Sequence, residues 1–505
     1  MKNILQKLTI AFLLVSAPSA FSAPAPGTKK VTIFFPDNGN KPYSNSAATF
    51  TQLTFMQAVF GQLLYVSSGF NLEPGLIRRY HWDFNESCYV LELADNLRFH
   101  NGRLANSSDL EFSLLRPLLI KELTWEQTLL LNIRGADKIK KGDAFHPGML
   151  GGLKVIDAKT VKVFLRAPNP AFLFSLTRST VPLMPREELN SDLISWKRLP
   201  IGAGSFRVVS EDSGGSLVHT EVVTSKNDGS PDAVDFATKG DVGKADVLLG
   251  VATNPDPHRF STDLNSTVAG VTVLQFNANS ELGRNQDFRN AIKYGIDRTK
   301  LIGDDIEKVP AFEILPGSHW GRLNAGDTYD LQKAKAALKK VPRWLLQDEI
   351  VMPAYAATLT NFKNTPIGRL EDQMRMIGIP IRFDLTGEIQ KVRKQGESPL
   401  FGTGIAVDYI DPLIVFSFFL SKGQFGGHMP KDPAFEALYD KATMASSFDV
   451  RVDTVRHLSR YFFDRNCVLP LWERKTIYHF NKAVIADLGA QRGGGTFYVD
   501  KIRLH

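Results

Sequence analysis

Only two cysteines occur in 505 residues, Cys88 and Cys467. So few exclude a cysteine-rich zinc module and a small fold stapled by disulfides. An oxidising compartment permits one bridge between them, while their apolar surroundings (SCYVLEL and NCVLPLW) suit buried free thiols equally well. Beyond the N-terminus, no run approaches the ~18 continuous apolar residues of a membrane-spanning helix. The chain also lacks a G-x-S-x-G elbow, an H-E-x-x-H pair, a Walker loop and a G-x-G-x-x-G turn after a strand. Its ten histidines are dispersed, with no i, i+4 pair of the kind that holds zinc on a helix. These absences argue against an enzyme and imply no cofactor and no metal. Basic residues are in excess, for a formal charge of +7, but they are scattered apart from the cluster Lys138 to Lys141. Without an arginine-rich arm or basic–aromatic alternation, nucleic acid is not an expected partner.

What is present is ordinary globular composition, 43% hydrophobic and 22% charged, with enough chain for about three compact segments. Lys2 and Lys7 precede the apolar run Leu8 to Val15, and small residues and prolines follow in SAPSAFSAPAPG. A positive end, a short apolar stretch and small residues for a peptidase are the layout of a secretory signal peptide. Ala20 and Ser22 suit positions −3 and −1, which places the cut before Ala23 and makes 1–22 the signal. No cysteine lies near the cut, so the expected product is periplasmic and not lipid-anchored. Nothing signals a coiled coil, and a monomer is expected.

Strand and helix patterns alternate along the chain. VTIFF (31–35) reads as an opening strand, and residues 50–66 carry helical spacing. YVLEL alternates as a strand before an Asn-Gly turn at 101–102. Ser108 to Glu111 fits a capping box opening a helix with Leu110, Leu114 and Leu115 on one face. Residues 153–168 suggest a hairpin turning at Asp157, and 210–231 an exposed loop or hairpin. TVLQFNAN (272–279) reads as a strand, followed by a helix with Phe288, Ile292 and Ile296 on its seam. Further helices are expected from Asp330, over about 367–377 and over 452–464, with VLPLWE (468–473) as strand or extended chain. Such alternation argues for α/β lobes with mixed sheets.

Five segments in order then carry a likeness. LRFHNGRLANSSDLEFSLLR (97–116), LPIGAGSFRVV (199–209), LQFNANSELGRNQDFRNAIKYGIDRTKLI (274–302), VDYIDP (407–412) and VLPLW (468–472) resemble the landmarks of the extracellular solute-binding proteins of family 5, the group of dipeptide- and oligopeptide-binding proteins. Ala203 and Ser205 depart from the glycine turn, where the family carries Thr and Pro. The resemblance covers about 55–485. It implies a two-lobed periplasmic-binding-protein fold (Venus-flytrap, type II), with mixed sheets, two hinge crossovers and an extra subdomain in the first lobe. On its motif positions the first lobe takes 23–50, 200–265 and 480–505, the inserted subdomain 51–199 and the second lobe 266–479. The implied partners are a peptide or small-molecule ligand and an ABC transporter permease in the inner membrane. Relatives that take metal complexes, haem, sugars or opines make a non-peptide ligand the alternative, and a secreted hydrolase is the rival from another class.

A binder of many peptide sequences must grip what all peptides share: an ammonium, a carboxylate and backbone amides. Asp408 matches the position where the family's peptide binders pair an aspartate with the ligand's amino terminus, and Arg369 matches an arginine that dipeptide binders carry for the carboxylate. Tyr409, Phe425, Gly427 and His428 are further candidates, the last three on a loop that often lines the cleft. Asp411 before Pro412, Trp472, Arg289 and Arg298 read as structural, the arginines through helix pairing and salt links.

Overall fold

The computed structural model describes residues 29–36, 50–66, 71–121, 130, 132–166, 169, 172–223, 229–251, 253–353, 362–384, 398–406, 411–421, 423, 425–445, 447–489 and 497–505. The expected signal peptide, 1–22, lies outside them.

The described strands are β1 (Lys30–Phe34), β2 (Leu64–Val66), β3 (Leu72–Pro74), β4 (Ile77–Asp83), β5 (Cys88–Leu93), β6 (Leu153–Val155), β7 (Thr160–Val163), β8 (Phe206–Glu211), β9 (Leu217–Val222), β10 (Ala233–Ala237), β11 (Val247–Leu249), β12 (Phe260–Phe276), β13 (Lys308–Pro310), β14 (Ile350–Pro353), β15 (Ile381–Asp384), β16 (Leu400–Ala406), β17 (Val468–Asn481), β18 (Ile485–Asp487) and β19 (Arg503–Leu504). The helices used below are α1 (Phe50–Phe60), α2 (Ser107–Leu119), α3 (Phe172–Ser175), α4 (Glu281–Arg284), α5 (Gln286–Gly295), α6 (Arg298–Ile302), α7 (Leu331–Leu338), α8 (Pro366–Ile377), α9 (Leu413–Ser417), α10 (Pro433–Thr443) and α11 (Phe448–Arg465).

One mixed sheet runs through both lobes in the order β16-β12-β17-β11-β1-β10-β9-β8, with β13 beside β17. In the first lobe, β1 lies parallel to β10 and β11, and α1 covers them. Phe55, Val59 and Phe60 of α1 pack there with Val31, Ile33, Val234 and Val247. So α1, within the span 51–199 expected for the insertion, has its buried face in the first-lobe core. A separate antiparallel sheet, β4-β5-β7-β6, is backed by α2, whose Leu110, Leu114 and Leu115 are fully buried against Leu91, Leu93, Val161 and Val163.

In the second lobe β12 is apolar on both faces, because helices cover both. Val271 and Val273 meet α9 and α11, whereas Leu274 and Phe276, on the opposite face, meet α5 and α8. This explains why 272–276 reads as a nearly continuous apolar run. The limits expected at 265/266 and 479/480 both fall inside strands, β12 and β17.

Several local expectations change. The capping box of α2 is formed by Asn106 and Asp109, not Ser108 and Glu111. The Asn106 side chain accepts from Ser108 N and Asp109 N at 2.9 and 3.2 Å, and the Asp109 carboxylate accepts from Asn106 N at 2.9 Å. Ser108 already lies in the first turn, and the Glu111 carboxylate, buried, accepts from Gly148 N at 2.7 Å. The helical spacing of 50–66 breaks after Phe60, and 64–66 is strand. Residues 217–222 form β9, the return strand of a hairpin with β8. Both cysteines are buried free thiols, Cys88 on β5 and Cys467 in the second-lobe core. Burial pushes the Cys467 thiol up to about 11.

Two of the sequence landmarks meet in space. The His100 backbone N–H donates to Gly202 O at 2.9 Å, and its ring Nε2 lies 3.0 Å from Gly204 O. Gly204 N–H in turn donates to Val59 O at the end of α1, 2.9 Å away. A Cβ on Gly204 would fall 2.4 Å from Ala58 O, and one on Gly202 2.1 Å from Val59 O, so glycine is required by close backbone approach. Gly204→Ala is expected to lower stability by about 2–3 kcal/mol, the scale of forced overpacking. Thermal unfolding of the two proteins checks this, and an unchanged melting temperature would show that the turn relaxes freely.

Candidate functional site

The strand registers decide where the two lobes face each other. On β17 the second lobe lies toward Val468 and the first toward Asn481. Leu249 pairs with Tyr478 and Val247 with Phe480, so the carboxyl end of β11 points at the second lobe. Parallel β1 and β10 point the same way. From the other side, Ala406 at the carboxyl end of β16 pairs with Gly270, and Leu400 with Phe276, so β16 ends toward the first lobe. Carboxyl ends of strands from both lobes therefore converge beside the crossing segment of β12, the kind of crevice where open α/β sheets bind ligands. The register of β12 on β17 slips there, between Leu264 and Val268 and again before Gly270.

Side chains stitch the crossing strands on the first-lobe side. His479 of β17 places Nδ1 3.0 Å from Thr262 Oγ1 on β12 and Nε2 2.8 Å from Val251 O. With Nε2 donating to the carbonyl, Nδ1 accepts the threonine hydroxyl. Burial lowers the His479 pKa, only partly offset by the Val251 carbonyl, so the neutral ring is favoured. Asn481 N donates to Asp246 O at 2.8 Å, and the Asp246 carboxylate accepts from Thr32 N at 3.0 Å. On the second-lobe side Glu307 is pushed up by burial and Arg474 pushed down by burial, each opposed by the other's charge.

The sequence candidates separate. Asp408 and Tyr409 follow β16 directly and lie outside the described residues. The chain resumes at Asp411, buried and paired with buried Arg451 at 3.0 Å, and its carboxylate also accepts from Leu413 N at 3.0 Å. Burial pushes the Asp411 carboxyl up, and Arg451 works against it. Arg369 is held by backbone carbonyls. Its Nε donates to Leu301 O at 2.7 Å, Nη2 to Ile302 O at 2.9 Å and Nη1 to Asn364 O at 2.5 Å. It thereby caps the C-terminus of α6, where carbonyls lack intrahelical partners.

Phe425 is a core residue, 4% exposed and stacked on Phe418 at 5.8 Å. His428 sets its ring against Phe401 at 5.0 Å, and its carbonyl accepts from Ala278 N at 2.8 Å. Gly427 O accepts from Asn279 Nδ2 at 2.9 Å. Phe401 pairs with Gln275 and Ala406 with Gly270, so this loop sits about 17 Å along β16 from its end at the crevice. Phe425, Gly427 and His428 are thus placed away from the carboxyl end of β16. Trp472 is packed in the second-lobe core. Arg289 and Arg298 are structural through carbonyls rather than salt links: Arg289 Nη1 donates to Gly283 O at 2.9 Å, and Arg298 Nε to Pro470 O at 2.8 Å. Sequence reading missed His479, Thr262 and Arg451, which no local motif marks. Among the described residues no group of three or more His, Cys, Asp or Glu side chains gathers as a metal site would require, and no helix is long and apolar enough to cross a membrane.

Residues 71–427 match the family described as "Bacterial extracellular solute-binding proteins, family 5 Middle". The oligopeptide-binding protein OppA of Bacillus subtilis (strain 168) is 20% identical over 455 residues, 83% of this chain and 82% of that one. The murein tripeptide binding protein MppA of Escherichia coli superposes with a TM-score of 0.76 at 16% identity, covering 95% of this chain and 99% of MppA. Its unliganded open form gives 0.67 at 15% identity, with 95% and 98% covered. DppA of Helicobacter pylori, an ABC transporter-associated periplasmic binding protein in complex with the peptide STSA, gives 0.75 at 16% identity, with 94% and 98% covered. These likenesses establish the two-lobed fold.

His479 carries a pH signature. Its folded pKa lies below the ordinary 6.5, so unfolding takes up a proton at acid pH, and the stability from the neutral ring is present above about 6.5 and lost as pH falls through the folded value. The melting-temperature advantage of the wild type over His479→Gln is therefore expected to shrink on going from pH 7.5 to pH 5. Differential scanning calorimetry at the two pH values checks it; an advantage that stays constant or grows on acidification would contradict the neutral assignment.

Proposed function

The chain belongs to the bacterial extracellular solute-binding proteins of family 5, and from that premise we propose that it is the exported capture subunit of an ABC importer, taking short peptides between its two lobes. The observation that carries this is the convergence of β1, β10 and β11 with β16 at the crossing strands, where both lobes offer strand ends and backbone groups to one crevice. Strand ends suit an extended peptide, because they present main-chain donors and acceptors without regard to side-chain sequence. The peptide-binding relatives OppA, MppA and DppA support the ligand class. The family is described by solute binding, and capture without catalysis is the role proposed.

Asp408, two residues beyond Ala406, is the group we assign to the ligand ammonium, with Tyr409 beside it. Enclosure between lobes removes bulk water and strengthens such an ion pair over an exposed one. Arg369 is assigned to holding α6, since its guanidinium is engaged by three carbonyls. Opening and closing about β12 and β17 would admit and enclose the ligand, and the closed form would dock on the permease.

Native mass spectrometry of the protein purified from its periplasm tests the ligand class: a ladder of short peptides is expected, and one non-peptide species would overturn it while leaving the family intact. Against a peptide so identified, Asp408→Ala is expected to weaken binding by about 2–5 kcal/mol, the scale for losing one partner of a buried charge pair. Arg369→Gln is expected to lower the melting temperature with affinity unchanged in titration calorimetry. A reversal of those two outcomes would exchange the roles of the two residues.

A further inference from the structure

The short helix α3 has two faces with different destinations. Phe172 is 2% exposed and belongs to the core of the inserted segment, with its ring stacked on Tyr89 at 5.6 Å. Phe174, two residues on and so on the opposite side of the helix, leaves that core and packs against the second-lobe cluster built from α9, α10 and α11. The helix is fixed by its own hydroxyls: Ser175 Oγ donates to Phe172 O at 2.5 Å, and Thr177 Oγ1 to Phe174 O at 2.8 Å. Tyr89 Oη donates to Asn169 O at 3.1 Å, which ties β5 to the chain entering α3.

Electrostatic influence also reaches across this apolar contact. Arg166, just after β7, acts on the Asp440 carboxylate of α10, opposing burial and the neighbouring Glu436. Arg451, on the second lobe, acts on the Tyr89 hydroxyl, which burial disfavours from ionising. Arg451 is itself held in place by Asp411 at 3.0 Å and by the Trp320 ring at 5.6 Å. Phe174 thus joins the inserted segment to a part of the second lobe far from it in sequence.

We propose that Phe174, packed against the cluster of α9, α10 and α11, is a latch between the inserted segment and the second lobe that holds a fraction of the ligand-free protein closed. The proposal rests on the two-lobed closure described above but not on the identity of the ligand. Such a latch raises apparent affinity by populating the binding-competent state before ligand arrives. The contact is apolar, like the centre of a small protein interface, which supplies most of its stabilisation.

Pulsed electron–electron resonance on spin labels at Lys138→Cys and Arg456→Cys reads the lobe separation, since Cys88 and Cys467 are buried and take no label. Protein stripped of ligand by unfolding and refolding is expected to show a short-distance population, reduced at least threefold by Phe174→Ala. Arg166→Asp alone is expected to reduce it, and combination with Asp440→Arg to restore it. Absence of the short-distance population in the ligand-free wild type, or an equal population in a folded Phe174→Ala, would overturn the latch. If Phe174→Ala does not fold, the charge exchange decides alone: restoration supports the latch and no response to either charge change rejects it. Peptide titration on the same proteins separates the two readings, because loss of the latch leaves a peptide site that still saturates, whereas a wrong ligand class leaves the distance populations unaltered by peptide.

Discussion

With 17 residues in β12 and 14 in β17, the two strands are far longer than the five or six usual in globular sheets. Their surplus length is what crosses from one lobe to the other. Phe260 to Leu264 pair with Ile477 to Asn481 in the first lobe, and Gly270 to Gln275 pair with Val468 to Arg474 in the second. Both cores are built on this one ladder, so its register fixes which strand ends meet. The slips between Leu264 and Gly270 matter for the same reason. A regular ladder resists bending, whereas an interrupted one concentrates the backbone change of a hinge into a few residues.

The second lobe is organised around buried cations that end on backbone carbonyls. Arg289, Arg298 and Lys293 all do this, half-buried Arg369 does the same beside α6, and burial lowers the pKa of Arg298 to about 10 and of Lys293 to about 8. Carbonyls at helix and strand ends need donors that the local backbone does not supply, and long cationic side chains reach them from a distance. The Arg451–Asp411 pair differs, because both partners are charged and both are buried. Breaking one member of such a pair leaves an uncompensated charge, which makes it a poor place for tolerated change.

Much of the fold was legible because short-range physics carries it. The alternation at Tyr89, Leu91 and Leu93, the seam of Phe288, Ile292 and Ile296, and the cap at Asp330 need only neighbours in sequence, and each appears as read. The displaced capping box shows the limit of such reading: Asn106 and Ser108 both precede a suitable acid, and only the helix start chooses between them. Of the candidate site less was legible. Arg369 is a cation at a helix start in either reading, and nothing local tells a free guanidinium from one engaged by Leu301 and Ile302, 68 and 67 residues away. Gly427 and His428 follow β16 in sequence, yet His428 packs on Phe401 near the start of that strand, and only the return of the chain brings it there.

The sequence by itself determined the class of fold, through five landmarks in order, and the glycine turn at Gly202 and Gly204, whose lack of side chains is a local fact. It also determined that no catalytic or metal motif of short spacing exists, since those depend on residues close together in the chain. Tertiary structure decided what depends on contact between distant segments. It decided that Cys88 and Cys467 are separate buried thiols, that His479 joins β17 to β12, that Phe174 leaves its own core for another, and that strand ends from two lobes converge beside β12. Those facts follow from register and packing over hundreds of residues, and periodicity measured over a window of ten or eighteen carries no information about them.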